Sequence, residues 1–163
     1  MDVRRSRRLV LSFVATVDNY EYGFYWYFYQ DGTIQYEIKL TGILLVGALA
    51  DQPKYGTLVA PEVNALNHQH FFAMRLDFDV DGCANSVYEV NSHPEPMGPD
   101  NPYGNGWYAQ STLFSTEKAA QRQIDPLGGR YWKVTNPTVQ NRLGQPVGFK
   151  PVSYTHLRAH ETE

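Results

Sequence analysis

Runs of aromatic and β-branched residues occupy much of the first third of the chain and predict β-strands rather than helices. Two such runs between Tyr20 and Leu44 flank the dipeptide Asp31-Gly32. A two-residue hairpin turn favours Asp-Gly, because both turn positions need a positive φ. The sequence therefore predicts a β-hairpin whose turn lies at Asp31-Gly32.

Shorter strands and one helix are predicted along the rest of the chain. The strand-like runs lie at residues 67–80, 86–90 and 131–135. Connections rich in Pro and Gly separate them, at residues 51–61 and 92–106. Ser115 and Thr116 precede Glu117 and predict the N-cap of a short helix over about residues 117–123. The pattern predicts an all-β, mainly antiparallel fold with one short helix, no internal repeat and no second domain.

The start of the chain is similar to a secretory or twin-arginine signal, but its details favour a strand. Ser12 and Thr16 interrupt the apolar run that starts at Leu9, Asp18 ends it, and no small-residue cleavage site follows. The second apolar run, residues 40–50, is shorter than the ~20 residues of a spanning helix. We therefore expect no signal peptide and no membrane segment, which favours a cytoplasmic location. The arginines that imitate a signal are Arg4, Arg5, Arg7 and Arg8.

Composition and charge narrow the class of protein. The chain has 163 residues, of which 42% are hydrophobic and 19% charged, as in one ordinary globular domain. The 14 Lys and Arg against 17 Asp and Glu give a net charge of −3, which is too balanced for a nucleic-acid groove. The 14% of aromatic residues fits strands with half-buried aromatic faces. Cys83 is the single cysteine of the sequence, which excludes an internal disulfide.

His68 and His70 form an H-x-H pair in a run that the pattern predicts as a strand. Because side chains alternate between the two faces of a strand, both imidazoles project from the same face. Two imidazoles on one face can share a metal ion, and the spacing alone also leaves open two ordinary polar histidines. A cupin-like site is excluded, because Glu62 and Met74 or Arg75 stand where that site needs Gly and Glu.

An acidic run follows the histidine pair and places carboxylates at alternate positions. It reads Asp77-Phe78-Asp79-Val80-Asp81-Gly82. The spacing is similar to the calcium loop of an EF-hand, but Tyr88 stands where that loop needs its bidentate Glu, and strands flank the run. An EF-hand is therefore excluded. Spacing alone leaves open a hard-cation site built from Asp77 and Asp79, or a solvated acidic strand end.

The most specific motif of the chain is the segment Thr16-Val17-Asp18-Asn19-Tyr20-Glu21-Tyr22. It resembles the signature T-x-x-N-Y-[DE]-Y of copper amine oxidases. In that family the central tyrosine is oxidised, by bound copper and oxygen, to the quinone cofactor topaquinone. Asp18 departs from the family pattern, which usually has a small residue at this position. Taken alone, Tyr20 is one more aromatic residue in a Tyr-rich hairpin.

The histidine pair and the acidic run follow this motif at the distances that the family shows, so three motifs stand in register. The resemblance spans about residues 3–150, includes the text Leu-Thr-Gly-Ile-Leu at residues 40–44, and is closest to bacterial members. It implies that the chain is part of the large β-sandwich catalytic domain of these enzymes. The family converts a primary amine, oxygen and water into an aldehyde, ammonia and hydrogen peroxide.

The resemblance implies a role for each matching residue of the active site. Tyr20 is the topaquinone precursor, whose quinone forms a Schiff base with the amine, and Asn19 orients the ring. His68 and His70 are copper ligands, as neutral imidazoles suit copper. The family's catalytic Asp lies upstream of this text and its third copper-binding His lies downstream. We therefore expect a fragment that is inactive on its own.

The resemblance also implies peripheral cations and a partner. Asp77, Asp79 and the carbonyl of Phe78 match a second site for calcium or a similar cation, and Glu117 matches a further peripheral cation site. Full-length members are homodimers that use a primary amine and oxygen. No nucleic acid or membrane partner is expected.

The last residues, 151–163, read as foreign text. They do not continue the strand pattern and resemble translated adapter read-through, so residues 1–150 are expected to be the family segment and 151–163 a non-native tail that packs poorly. His156 and His160 have an i, i+4 spacing that we interpret as accidental. The alternative interpretation of the chain is a catalytically inert, metal-binding β-domain. An interaction module that uses the aromatic strands is a weaker third interpretation.

Overall fold

The computed structural model describes residue 3 and residues 5–48 and 54–152. These residues fall into two compact units that divide between Phe72 and Ala73, and each unit is built on antiparallel strands. Ten strands and one three-residue 3₁₀ turn are the regular elements of this part of the chain. The predicted all-β, mainly antiparallel fold is confirmed.

The first unit contains a sheet of three long strands and a smaller sheet. The long strands are β1 (Arg8–Val17), β2 (Tyr20–Tyr29) and β3 (Ile34–Gly42), in the order β1-β2-β3. The smaller sheet holds β4 (Val46–Ala48), β5 (Thr57–Ala60) and β6 (Val63–Ala65), in the order β4-β6-β5. The strand predicted near the start and the hairpin are both present. In contrast, β5 lies in the segment that was predicted to be only a connection.

The β2–β3 hairpin closes with a different turn from the one predicted. Only Gly32 has a positive φ, at 85°, whereas Asp31 does not. Tyr29 N–H donates to the Thr33 carbonyl at 2.9 Å, so three residues form the loop, as in a type I turn followed by a glycine bulge. The Asp31 carboxylate accepts the Thr33 N–H at 2.9 Å, and this bond lowers the pKa of Asp31.

The two faces of β2 carry different side chains. Tyr25 and Tyr27 stack on one face, with ring centroids 6.1 Å apart. The Tyr27 hydroxyl donates to Glu37 Oε2 at 2.7 Å, and the Arg8 guanidinium lies 4.4 Å above the Tyr27 ring. This polar and aromatic cluster joins β1, β2 and β3 on one side of the sheet. The opposite face of β2, which begins with Tyr20, is left for other contacts.

The second unit is a four-stranded antiparallel sheet. Its strands are β7 (Ser86–Pro94), β8 (Trp107–Leu113), β9 (Tyr131–Gln140) and β10 (Pro146–Phe149), in the order β10-β9-β7-β8. Val90 and Val134 on the central strands are buried. The strands predicted at residues 86–90 and 131–135 are confirmed and extend further, while β8 and β10 had no predicted counterpart.

A buried carboxylate connects β7 to the segment before β9. Glu89 is 6% exposed, and its Oε2 lies 2.7 Å from Arg122 Nε in an ion pair whose orientation does not make a hydrogen bond. Glu89 Oε1 accepts a hydrogen bond from Asn91 Nδ2 at 2.7 Å, and Arg130 Nε donates to Asn91 Oδ1 at 2.9 Å. A buried charge persists only when such partners surround it.

The strand predicted over residues 67–80 is wrong. Residues 66–79 have no regular structure and pair with none of the described strands. Most of the large apolar side chains of this stretch are exposed, including Phe71 at 87%. An alternating pattern becomes a strand only when a neighbour supplies hydrogen bonds along its edge, and no such neighbour is present in the described residues.

The helix predicted over residues 117–123 is reduced to one 3₁₀ turn, Lys118–Ala120. The Thr116 hydroxyl accepts the Ala119 N–H at 3.2 Å, as a capping side chain does. Gln121 has a ψ of 112°, which leaves the helical region. The next residue, Arg122, pairs with the buried Glu89.

The proposed tail falls almost entirely outside the described residues. Only Pro151 and Val152 are described, and the Pro151 carbonyl accepts the Trp132 N–H at 3.4 Å. The prediction that residues 151–163 pack poorly, and the pair His156 and His160, lie outside the described residues. In the described ranges, none of the helical structure has the length and apolar character needed to cross a membrane.

Tyr27 should lose its proton at a higher pH than an ordinary tyrosine. Its hydrogen bond to Glu37 raises its pKa above 10.0. The stability that this bond contributes is therefore present below pH ~10 and lost as the pH rises through the raised pKa. The phenolate absorbance of the chain minus that of Tyr27→Phe should show this midpoint, and Glu37→Gln should lower it. A Tyr27 midpoint at or below the ordinary value would contradict the assignment.

Candidate functional site

The β1–β2 turn presents Tyr20 at the start of β2. Val17 pairs with Tyr20, which leaves Asp18 and Asn19 as a two-residue turn with Asp18 at φ 53°. Asp is among the residues that tolerate this conformation. The Asn19 carbonyl accepts the Ile43 N–H at 2.8 Å, and its side-chain amide donates to the Leu44 carbonyl at 3.4 Å. The turn is therefore fastened to the chain that follows β3.

Gly42 lies directly opposite Tyr20 in the sheet and allows the backbones to approach closely. Its φ is 122°, a conformation that residues with a side chain rarely adopt. A Cβ at this position would overlap the Asn19 carbonyl oxygen and lie 2.7 Å from Tyr20 Cα. A glycine at position 42 is therefore part of what fixes the position of Tyr20.

Tyr20, His68 and His70 form a compact cluster. The Tyr20 ring centroid lies 5.2 Å from that of His68 and 4.9 Å from that of His70, and the two imidazoles are 4.8 Å apart. The residues that the three family motifs group together therefore lie side by side in the structure. The Tyr20 hydroxyl oxygen is buried and has no hydrogen-bond partner among the described residues. A buried, unpaired hydroxyl is uncommon and marks a position where a further polar partner fits.

The segment that carries the histidines packs on the same face of β2. His70 and Phe72 contact Tyr22, with centroid distances of 5.6 and 5.7 Å, and Phe72 also lies 6.3 Å from Phe24. Residues 68, 70 and 72 thus follow residues 20, 22 and 24 in steps of two. Alternation along this segment is retained by packing, although it is not a strand.

Both imidazoles are held through Nδ1. His68 Nδ1 lies 3.0 Å from the Leu66 carbonyl, and His70 Nδ1 lies 2.8 Å from the Tyr22 hydroxyl. A carbonyl oxygen only accepts hydrogen bonds, so His68 Nδ1 carries the proton and the lone pair of Nε2 is free. Metal-binding histidines have this arrangement, in which the nitrogen that does not bind the metal donates to a fixed partner.

The donor set fits copper. Imidazole nitrogens suit copper, and the His68 and His70 rings lie 4.8 Å apart beside the ring of Tyr20, whose hydroxyl is buried. Among the described residues no group of three His, Cys, Asp or Glu side chains is gathered around one point. His68 and His70 can supply two positions of a metal shell, and a complete shell needs at least one further ligand.

The predicted ligands of the peripheral cations lie in the second unit. Asp77 and Asp79 are exposed, and the partly buried Phe78 ring lies 6.1 Å from that of Phe149. Glu117 is exposed and immediately precedes the 3₁₀ turn. Their roles as cation ligands stay predictions, as does the role of Asn19 in orienting the ring, because its amide contacts the Leu44 carbonyl instead of Tyr20.

Sequence reasoning missed three contributors to the site. Tyr22 contacts His70 and Phe72 packs beside it, and strand alternation from Tyr20 already placed Tyr22 on the correct face. Gly42 lies in the text Leu-Thr-Gly-Ile-Leu, but only the structure gives the reason for the glycine. The sequence contained these three residues, but it did not show which side chains they contact.

Comparison with known proteins adds the decisive observation. The model of the family described as copper amine oxidase, enzyme domain, matches residues 1–162. The chain belongs to the copper amine oxidase family. Histamine oxidase of Arthrobacter globiformis is 49% identical over 149 residues, which cover 91% of this chain and 22% of that protein. Peroxisomal diamine oxidase 1 of Nicotiana tabacum is 50% identical over 157 residues, which cover 93% of this chain and 20% of that protein.

Solved structures of the copper amine oxidase family share the fold of this chain. A copper-containing benzylamine oxidase from Hansenula polymorpha matches with a TM-score of 0.78 and 31% identity, covering 90% of this chain and 24% of that one. An Aspergillus nidulans amine oxidase has a TM-score of 0.67 at 22% identity, which bears on the fold alone. The chain spans about a fifth of the length of the curated relatives that it matches.

Replacing Gly42 with alanine should destabilise the first unit and displace Tyr20. The new Cβ would meet the Asn19 carbonyl in a strained backbone conformation, at a cost of about 1–3 kcal/mol in free energy of unfolding. Denaturant unfolding of the chain measures this loss. Gly47→Ala in β4 is the matched control, because a Cβ there meets nothing within 4 Å. Equal stability of the two variants would contradict the close approach.

Proposed function

We propose that the protein containing this chain is a copper-dependent primary-amine oxidase that uses Tyr20 as the precursor of topaquinone. The observation that carries the proposal is the buried Tyr20 hydroxyl, which has no hydrogen-bond partner among the described residues and lies beside two imidazoles held through Nδ1. The copper amine oxidase family generally uses copper and topaquinone, and the relatives above are named for amine substrates. Both facts support an amine as the substrate.

Each residue of the cluster has a task in this proposal. His68 and His70 would hold copper through Nε2, and Tyr20 would be the ring that is oxidised. When bound, copper and the quinone supply the redox chemistry by which a primary amine, oxygen and water become an aldehyde, ammonia and hydrogen peroxide. Gly42 fixes the Tyr20 backbone, and Phe72 packs beside the site. These contacts keep the side chains in place, which matters because a displacement of about 1 Å already impairs such a site.

The second unit carries the predicted ligands of the peripheral cations. We propose that Asp77, Asp79 and the Phe78 carbonyl bind calcium or a similar cation, as the family register supports, and that Glu117 belongs to a separate peripheral cation site. Asn19 orients the Tyr20 ring in this scheme through the turn that it fastens. The complete protein is proposed to act as a homodimer.

Tyr20→Phe in the complete natural protein should abolish the quinone. Phenylalanine keeps the packing of the ring but lacks the oxygen from which the quinone is built. Expected results are loss of the quinone absorbance, of the phenylhydrazine adduct and of amine-dependent peroxide. Tyr25→Phe, on the opposite face of β2, should leave all three intact. An adduct that persists in Tyr20→Phe would disprove the assignment, and a wild type without any adduct would favour the inert metal-binding domain.

The 163-residue chain alone should form little or no quinone when copper and oxygen are added. Two histidines leave the ion poorly fixed, since at least one further ligand is needed. The measurement is the yield of phenylhydrazine adduct per chain, compared with the complete natural protein. A stoichiometric yield from the chain alone would show that the third histidine is not necessary, while strengthening the assignment of Tyr20.

A further inference from the structure

The two histidines of the cluster are anchored by different kinds of partner. His68 Nδ1 contacts the backbone carbonyl of Leu66, whereas His70 Nδ1 contacts the hydroxyl of Tyr22 at 2.8 Å. A carbonyl accepts a hydrogen bond and never donates one. A phenol does both. The backbone therefore places the proton of a neutral His68 ring on Nδ1. Which nitrogen of a neutral His70 ring carries the proton depends on the direction of one hydrogen bond.

Only one direction of that bond suits a metal ligand. If the Tyr22 hydroxyl donates to Nδ1, a neutral His70 carries its proton on Nε2, and no lone pair remains there for copper. If Nδ1–H donates to the phenol oxygen, Nε2 is free. A neutral His70 that offers Nε2 to a metal must therefore donate from Nδ1, with the Tyr22 oxygen as the acceptor.

The Tyr22 ring is held independently of its hydroxyl. It lies 5.7 Å from Phe72 and 6.5 Å from Tyr20, and Tyr22 sits within β2 between partners on β1 and β3. The hydroxyl is thus carried to His70 by a rigid strand instead of a loop. A fixed acceptor restricts rotation of the imidazole, which loses less conformational freedom when the metal binds.

We propose that Tyr22 is a positioning residue of the copper centre, whose phenol oxygen accepts the Nδ1 proton of His70 and so sets the ring orientation and the tautomer that bind copper. The inference rests on the proposed function, since copper is the metal it names. It gives Tyr22 the role of supporting His70, while Tyr20 remains the cofactor precursor. His68 needs no such residue, because its backbone partner is always an acceptor.

The test is the copper affinity of the complete natural protein after chelation and reloading. Tyr22→Phe keeps the ring and removes the acceptor, and is expected to weaken copper(II) binding about 10–100-fold in competition with a chelator, the usual effect of losing such a partner. Tyr25→Phe is the matched control on the other face of β2 and should bind as the wild type does. His70→Ala combined with Tyr22→Phe should bind no more weakly than His70→Ala alone.

A spectroscopic measurement separates positioning from general destabilisation. Pulsed electron paramagnetic resonance of bound copper(II) detects the remote nitrogen of each ligating imidazole, and its coupling depends on the hydrogen bond at that nitrogen. Tyr22→Phe should change the coupling of one remote nitrogen and leave that of His68 unchanged. If Tyr22→Phe does not fold, a monofluorinated tyrosine at position 22, measured at a pH where its phenol is protonated, is a poorer acceptor and should weaken binding in the same direction.

The outcomes distinguish this inference from the proposed function. A wild-type protein that binds no copper overturns both. A wild type that binds copper, with Tyr22→Phe equal to it in affinity and in remote-nitrogen coupling, overturns only the role of Tyr22. Loss of affinity without any change in coupling also overturns it, because the hydroxyl would then act on stability and not on His70.

Discussion

The alternation of side chains along β2 is the constraint on which the first unit depends. Successive residues point to opposite faces, so Tyr25 and Tyr27 enter the polar cluster with Glu37 while Tyr20 and Tyr22 face the histidines. A slip of one residue against β3 would exchange the two sets. Gly42 is the residue that fits opposite Tyr20, so the register that pairs these two residues also sets the position of Tyr20 in the site.

The histidine segment obtains its order from side chains. It lies outside the sheets, so no ladder of backbone hydrogen bonds holds it, and its contacts are the Nδ1 bonds and the packing of Phe72 on β2. Such a segment is less rigid than a strand unless its contacts are well made. The precision of the site thus depends on a few residues around His68 and His70 as much as on the two histidines themselves.

The sequence predicted those parts of the structure that depend on local pattern. The hairpin and the all-β class follow from residue type and spacing, whereas the grouping of Tyr20 with His68 and His70 follows from the resemblance to the family. Residue type and spacing do not show which strands pair. Residues 67–80 were therefore wrongly expected to be a strand, and β8, which follows a Pro-rich loop, was not predicted. The bond between Tyr22 and His70 joins residues 48 apart in the chain and depends on two side-chain conformations that no pattern specifies.

The second unit contains a buried carboxylate and an exposed pair of carboxylates, and the sequence is informative only about the exposed pair. Glu89 is buried, so its position is determined by Arg122 and Asn91, partners that spacing does not reveal. Asp77 and Asp79 are exposed, so packing constrains them less than it constrains Glu89. A cation that binds such a pair must itself provide the free energy that orders it, so its selectivity rests on ligand type and spacing. Motif register is therefore the stronger guide to the exposed pair, and packing is the stronger guide to the buried one.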